Sequence, residues 1–362
     1  MKNKQSKGID ANSRQFSEYD QVEKNQNYRL ADSNFQDQYD NAFEIKTCDM
    51  SSLLQGKDGA EVEFSQKLGS AMEEIGFAVI TGHGIDTQLY QTAEEKIIEF
   101  FDPKYADLRQ PYLAKRHGSV NQGYFPIKET TIIHPDLVEG WVFCRRAFNM
   151  NDDPNYQEKI FWPRANFEPF FRELCLAHEK LILPIMQSIL RYLKCEPNSF
   201  DRKLTQTNFG FRLNYYPSLD ESDLESGAGR MLGHEDVDLF TLLPAQDLDG
   251  LQVLNRRNMK WIKLKPPQGS IVVNTGDYMQ RITNDRLPST THRVSIPVKK
   301  QKQKKARVSF PMAVYLWENE MLTGLPELGQ AKYPPINAEE FHTKTTSKYY
   351  GKSYSNKNKS KT

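Results

Sequence analysis

A histidine, a carboxylate and a second, distant histidine are the first residues that suggest chemistry: Gly233-His234-Glu235-Asp236, with His292 far downstream. On an extended strand, side chains at i and i+2 share a face. His234 and Asp236 can therefore reach one point while Glu235 faces away. A histidine on a neighbouring strand would complete a two-His, one-carboxylate set on one side of an ion. Such a set leaves coordination positions open, the donor pattern of non-haem Fe(II) oxygenases. The bare triplet also has a plainer explanation, because a chain with seven histidines offers such matches by chance. A surface histidine beside acids and a core histidine in a strand would look the same, so the context has to decide.

The elements that must position these residues fall into two stretches. Phe43 to Lys46 reads as a short strand, and Glu61 to Glu74 carries a helical stripe at Val62, Phe64, Leu68 and Met72. Gly76 to Thr81 is a buried strand running into the turn Gly82-His83-Gly84, and Thr87 to Phe101 is a second amphipathic helix. Asp102 to Asn151 looks irregular. Phe167 to Cys195 is a strong helix that Pro184 should kink or split. Beyond it the chain turns β-rich, with short runs at 209–216, 240–243, 251–254, 261–264, 270–274, 292–298 and 308–315, separated by turn chemistry such as Asp249-Gly250. Regular short strands of this kind predict a sandwich or barrel with helices packed on it.

Composition narrows the class. The chain has 362 residues, 38% of them hydrophobic, and a formal net charge of +1. A near-neutral balance argues against a nucleic-acid binder. No apolar run approaches the ~20 residues of a membrane span, and the polar, lysine-rich start is not a secretory signal. Cys48, Cys144, Cys175 and Cys195 lie far apart and read as reduced thiols, so a cytoplasmic protein is expected. Residues 1–42 are polar and without periodicity, which predicts a disordered or loosely docked arm. Thr343 to Thr362 carries six lysines and no acid. The expected organisation is therefore an N-terminal arm (1–42), a helical and substrate-covering region (43–200), a β core (201–341) and a basic tail (342–362).

The context around the triplet resembles the 2-oxoglutarate/Fe(II)-dependent dioxygenase superfamily, in particular its isopenicillin N synthase-like branch. The resemblance rests on Arg212-Leu-Asn214-Tyr-Tyr216-Pro217, His234-Glu-Asp236, Phe240-Thr-Leu-Leu-Pro244, Asp249-Gly-Leu-Gln-Val253, Gly269 to Asp277, Thr291-His292-Arg-Val294 and Arg307-Val-Ser309. It extends to Gly76 through Ile85 and covers roughly Phe43 to Phe341. What it implies is a mainly β fold with flanking helices, its core a distorted double-stranded β-helix, or jelly roll. His234, Asp236 and His292 would be the Fe(II) ligands. Arg307 and Ser309 would hold the distal carboxylate of 2-oxoglutarate, helped by Tyr216, with Asn214 near the metal-bound end. An arginine fork and a hydroxyl on one strand face suit a carboxylate. Arg293 and Ser295 have the same spacing but follow His292 too closely to reach that far. The lysine-rich stretch Lys299 to Lys305 departs from the family pattern and reads as an extended, solvated hairpin tip.

The implied reaction is oxidative: O2 and 2-oxoglutarate are consumed, succinate and CO2 released, and a small organic molecule hydroxylated, desaturated or ring-closed, with ascorbate a stimulant. Asp236 argues against halogen transfer, which needs a small residue there. Candidate substrate contacts are Tyr124, Trp141, Phe143 and Arg145, while His83, His134 and His178 read as structural. A monomer without membrane or nucleic-acid partners is expected. Two other functions fit the same residues: an isopenicillin N synthase-like oxidase that uses no keto acid, and a catalytically silent binding protein of the same fold. A protein hydroxylase is a further possibility.

Overall fold

A computed structural model gives the architecture, and it describes residues 38–117, 120–127, 136–151, 153–225, 229–245 and 250–350. The expectations for residues 1–37, His134, Asp249 and residues 351–362 lie outside that set.

Helix α1 (Ala60–Ile75) buries Phe64, Leu68, Ala71, Met72 and Ile75 along one stripe. It stops at Gly76, whose φ of 71° is left-handed. A Cβ there would meet the Pro288 carbonyl oxygen at 2.2 Å, so only glycine fits the turn into the next strand. Helix α2 (Thr87–Phe100) starts where the Asp86 carboxylate accepts from the Gln88 amide at 2.9 Å. Helix α3 (Phe167–Tyr192) runs unbroken through Pro184, contrary to a split. The buried aliphatic chains on either side of the proline, Leu181, Ile182, Ile185 and Met186, keep both halves against the core.

The strands are β1 (Thr47–Asp49), β2 (Phe77–Thr81), β3 (Lys115–His117), β4 (Val120–Phe125), β5 (Glu139–Phe143), β6 (Asn208–Tyr216) and β7 (Met231–His234). They continue with β8 (Phe240–Pro244), β9 (Leu251–Asn255), β10 (Lys260–Lys263), β11 (Ile271–Thr275), β12 (His292–Val294), β13 (Arg307–Ser309) and β14 (Met312–Tyr315). They form a large sheet in the order β1-β2-β11-β8-β14-β6-β5-β4-β3, with β13 also on β6, and a four-stranded sheet β10-β9-β12-β7. The helices cover one face of the large sheet; the small sheet faces the other. This is the expected β-rich fold with flanking helices.

Several local expectations change. The first strand is Thr47–Asp49, not 43–46, because pairing with β2 sets it. The region 102–151 contributes β3, β4 and β5, which extend the large sheet beside β6. The run 308–315 is two strands: Pro311 lacks an amide and separates β13 from β14, though both pair with β6. Lys299 to Lys305 is not a hairpin tip. It holds a short helix, Lys300–Gln303, and carries the chain from β12 in the small sheet to β13 in the large one. The basic tail does not begin as a loose segment either. Helix α4 (Ala338–Tyr350) straddles position 342, and His342, Thr345 and Thr346 are buried in it. At the other end, Tyr39 bridges to Trp261, and Asp40 accepts from Asn255 and Asn258 at 2.9 and 2.7 Å, so the last residues of the arm are docked.

Candidate active site

The two sheets enclose a cavity of about 280 Å³. His234 ends β7 and His292 begins β12, and the two are direct cross-strand partners in the small sheet. Asp236 lies beyond the end of β7, in the loop that crosses to β8. The strand-face argument therefore holds for the two histidines but not for the carboxylate, which the loop delivers. Asp236 Oδ1 stands 3.7 Å from His234 Nε2 and 3.8 Å from His292 Nε2. One ligand atom from each lies within 4.8 Å of the others, a spacing that one ion can bridge.

The surroundings orient all three. His234 Nδ1 is 2.9 Å from the Leu232 carbonyl and His292 Nδ1 is 3.1 Å from that of Thr290. Carbonyls only accept, so each Nδ1 carries the proton and each Nε2 presents a lone pair to the centre. Burial, then the neighbouring His292, lowers the His234 pKa, which keeps that imidazole neutral and able to ligate. Burial works against ionisation of Asp236, yet His292, His234 and hydrogen bonds from Thr241 (2.6 Å) and Asn274 (2.8 Å) hold its carboxyl below the usual range. Thr241 Oγ1 also lies 2.6 Å from Asp238, whose carboxyl is pushed well up by burial and by the charge of Asp236. A hydroxyl has one proton, so Asp238 is the protonated partner: it donates to Thr241, which donates to Asp236.

The large sheet supplies the opposite wall. Arg307 and Ser309 on β13 pair with Tyr216 and Asn214 on β6, and all four line the cavity. Arg307 is 4% exposed, and its Nε and Nη1 are buried without a hydrogen-bond partner. Its guanidinium sits over the Tyr216 ring at 4.9 Å. Among the described residues the Tyr216 hydroxyl faces only the soft sulfur of Met231 at 3.9 Å, and Asn214 Nδ2 donates to Ser309 Oγ at 3.3 Å while its Oδ1 is unpartnered. A buried cation, a phenol and a hydroxyl with spare capacity fit a carboxylate-bearing guest. Arg230, fully buried nearby, was not apparent in the sequence. Burial and the charge of Arg307 lower its pKa to about 10, so it stays charged and adds positive potential behind Arg307.

The proposed substrate contacts are corrected. Tyr124, Trp141 and Phe143 point to the helix face of the large sheet: Tyr124 donates to Glu139 at 2.6 Å, Trp141 packs on Phe100, and Phe143 stacks on Phe211. Arg145 is ion-paired with Glu179. None of the four lines the cavity; the alternate positions Asn121, Phe125 and Val142 do, with Arg212, Tyr315, His342 and Thr346. The same strands β4 and β5 line the cavity through their other face, since a shift of one residue along a strand exchanges core for cavity. His83 and His178 are buried structural residues, hydrogen-bonded to the Gly269 and Leu174 carbonyls.

A jelly-roll core with a two-His, one-carboxylate cluster facing a buried arginine defines a non-haem iron oxygenase. The comparisons agree. Residues 207–313 match the 2OG-Fe(II) oxygenase superfamily, and residues 45–165 match the non-haem dioxygenase in morphine synthesis N-terminal family. A 2-oxoglutarate-Fe(II) type oxidoreductase of Emericella nidulans is 27% identical over 323 residues, 83% of this chain and 89% of that protein. A bi-functional coumaroyl CoA and feruloyl CoA ortho-hydroxylase of Ipomoea batatas is 26% identical over 296 residues, 79% of this chain and 76% of that one. Among solved structures, a full-length Neurospora crassa protein in complex with alpha-KG and thymine superposes with a TM-score of 0.72 at 22% identity, covering 84% of this chain and 96% of that one. A 2OG-Fe(II) oxygenase family protein from Caulobacter crescentus gives 0.68 at 26%, covering 83% and 96%. The chain belongs to the 2-oxoglutarate/Fe(II)-dependent dioxygenase superfamily: it is an oxidoreductase that uses Fe(II), 2-oxoglutarate and O2. Among the described residues no helix is long and apolar enough to cross a membrane.

Proposed function

We propose that His234, Asp236 and His292 hold the iron and that Arg307, Ser309, Tyr216 and Asn214 seat 2-oxoglutarate, for the oxidation of a small organic molecule. The observation that carries this reading is the buried Arg307 guanidinium, with two unpartnered nitrogens, in the same cavity as the cluster. An uncompensated buried charge is costly unless a ligand pairs with it. Arg307 forks the distal carboxylate, Ser309 and Tyr216 donate to it, and Asn214 presents its amide between that end and the cluster. The Nδ1 bonds of both histidines fix the rings, and the Asp238–Thr241–Asp236 chain fixes the carboxylate.

When bound, the iron activates O2. For hydroxylation the balance is substrate C–H, O2 and 2-oxoglutarate giving C–OH, succinate and CO2. Desaturation and ring closure use the same residues, with water as a further product. The cavity of about 280 Å³ lies at the lower edge of ordinary ligand sites, about 300–1,000 Å³, and must also take the co-substrate. That supports a small molecule over a protein substrate. Four buried, unbridged thiols fit a reducing compartment such as the cytoplasm.

The test is calorimetry with Mn(II) in place of Fe(II), followed by 2-oxoglutarate. Sequential binding, lost at the first step in His234→Ala and at the second in Arg307→Met, is expected. Binding of 2-oxoglutarate that survives Arg307→Met would refute the assignment of that end.

A further inference from the structure

Arg307 is not the sole arginine of this cavity. Along β6 the residues Gly210, Arg212, Asn214 and Tyr216 alternate onto the cavity face. Two residues of strand advance about 6.5–7 Å, so Arg212 is about 13 Å along β6 from Tyr216, the partner of Arg307. It stands past Asn214, on the side away from the co-substrate pocket.

Its surroundings are unusual for an arginine. Among the described residues the Arg212 guanidinium makes no hydrogen bond and no ion pair; Nε is buried without a partner, and Cζ lies over the Phe125 ring at 5.5 Å. Space has been left for it. Gly140 on β5 is the neighbour, and a Cβ there would come within 3.3 Å of Arg212 Nε. The residue as a whole is half-buried, and its buried, unpartnered Nε carries a penalty that a bound acceptor would remove.

The rest of this end is apolar or neutral. Val120, Phe125, Val142 and Tyr315 form the walls. His342 comes from α4, packs edge-on against Tyr315 at 5.0 Å, and is 5% exposed with Nδ1 unpartnered. Burial drops its pKa to about 3, so it adds no charge. Arg212 is therefore the one charged side chain on this apolar end of the wall, among the described residues that line it.

We propose that Arg212 recognises a single carboxylate on the substrate, and that the substrate is a small monocarboxylic acid with an apolar or aromatic body. The proposal rests on the preceding assignment of the oxygenase site. The acid group sits on Arg212, the body lies between Phe125, Val142 and Tyr315, and the oxidised carbon is held toward His234, Asp236 and His292. Two carboxylates then enter one cavity, and each has its own arginine: Arg307 for the co-substrate, Arg212 for the substrate.

The test uses the full chain loaded with Mn(II) and saturating 2-oxoglutarate. Benzoate, 3-phenylpropionate and cinnamate are compared with their methyl esters by ligand-observed NMR. The acids are expected to bind at least about tenfold more tightly than the esters, and Arg212→Gln should remove that preference while 2-oxoglutarate affinity stays within about twofold. The comparison of acid with ester needs no variant, so it stands even if Arg212→Gln folds poorly. If acids and esters bind alike, or the acid preference survives in Arg212→Gln while 2-oxoglutarate still binds, the subsite is refuted and the oxygenase reading stands. If 2-oxoglutarate itself fails to bind, the oxygenase reading falls and the subsite with it.

Discussion

Replacing Arg307 by methionine should separate affinity from stability. The side chain is 4% exposed, and its Nε and Nη1 have no protein partner, while the buried Arg230 adds a like charge close by. On the proposed assignment, 2-oxoglutarate would take charge-assisted hydrogen bonds from this guanidinium in a buried site. Removing one member of such a pair costs about 2–5 kcal/mol, or roughly thirty- to several-thousand-fold in Kd. Without ligand the sign reverses, because an unpaired buried charge is destabilising and an apolar side chain of similar length is not. The unliganded variant should be as stable as the wild type, or more stable by about 1–2 kcal/mol. Two measurements decide it: calorimetric titration of the Mn(II) protein with 2-oxoglutarate, and urea unfolding with and without ligand. At a hundredfold excess over Kd, the ligand should stabilise the wild type by about 2.7 kcal/mol and the variant by almost nothing at that concentration. A variant that binds normally would refute the reasoning. So would one that loses binding together with an equal loss of unliganded stability, since Arg307 would then be a structural residue.

Three further outcomes follow from the same geometry. Thr241→Val removes a donor to Asp236 without touching a ligand, and should weaken Mn(II) binding by about 10–100-fold in a calorimetric titration. Phe143→Ala should cost about 3–5 kcal/mol in denaturant unfolding and leave 2-oxoglutarate affinity unchanged, because its ring stacks on Phe211 in the core. His178 is fully buried, and burial drops its pKa to about 4, below the ordinary 6.5. The unfolded chain therefore binds an extra proton as pH falls below 6.5, so stability is full above that pH and declines by roughly 3 kcal/mol down to pH 4. His178→Leu should show a shallower decline over that window in paired unfolding titrations, and an unchanged slope would refute the assignment.

Which parts of this fold were legible in the sequence follows from how each signal arises. Helices α1 and α2 and most strands of the β half announce themselves by local periodicity and turn residues, and they appear within a residue or two of where the pattern puts them. The strands β3, β4 and β5 do not: β3 is a short polar edge strand, and β4 and β5 face the core on one side and the cavity on the other, with Gly123 and Gly140 interrupting any apolar alternation. The connection at Lys299 to Lys305 misleads for a different reason. A polar loop between two strands looks the same whether it joins neighbours in one sheet or crosses between two, and here it crosses. Helix α4 is hidden because its exposed face carries Glu340 and Lys344, while its buried side mixes Ala338 and Phe341 with the polar His342, Thr345 and Thr346.

The site was legible to the extent that its chemistry rests on residue type, and not where it rests on direction. Histidine, aspartate and arginine are costly to bury, so their presence in apolar strands marks them without coordinates. Direction is fixed by pairing, and that explains both the success and the error. His234 and His292 meet because β7 and β12 are neighbours, a long-range fact that no local pattern contains. Asp236 arrives from a loop, so the spacing that first drew attention to it picked out a residue that does join the cluster, but for an incomplete reason. Trp141 and Phe143 attract notice as large aromatics, yet size favours the core, and Val142 between them faces the cavity. The same alternation, applied along β6 from Tyr216 through Asn214, reaches Arg212 in one more step. A charged side chain on the cavity face, half-buried and with its Nε unpartnered, is then a stronger pointer to the proposed substrate than any aromatic nearby, because a buried donor without an acceptor has a cost that packing does not offset.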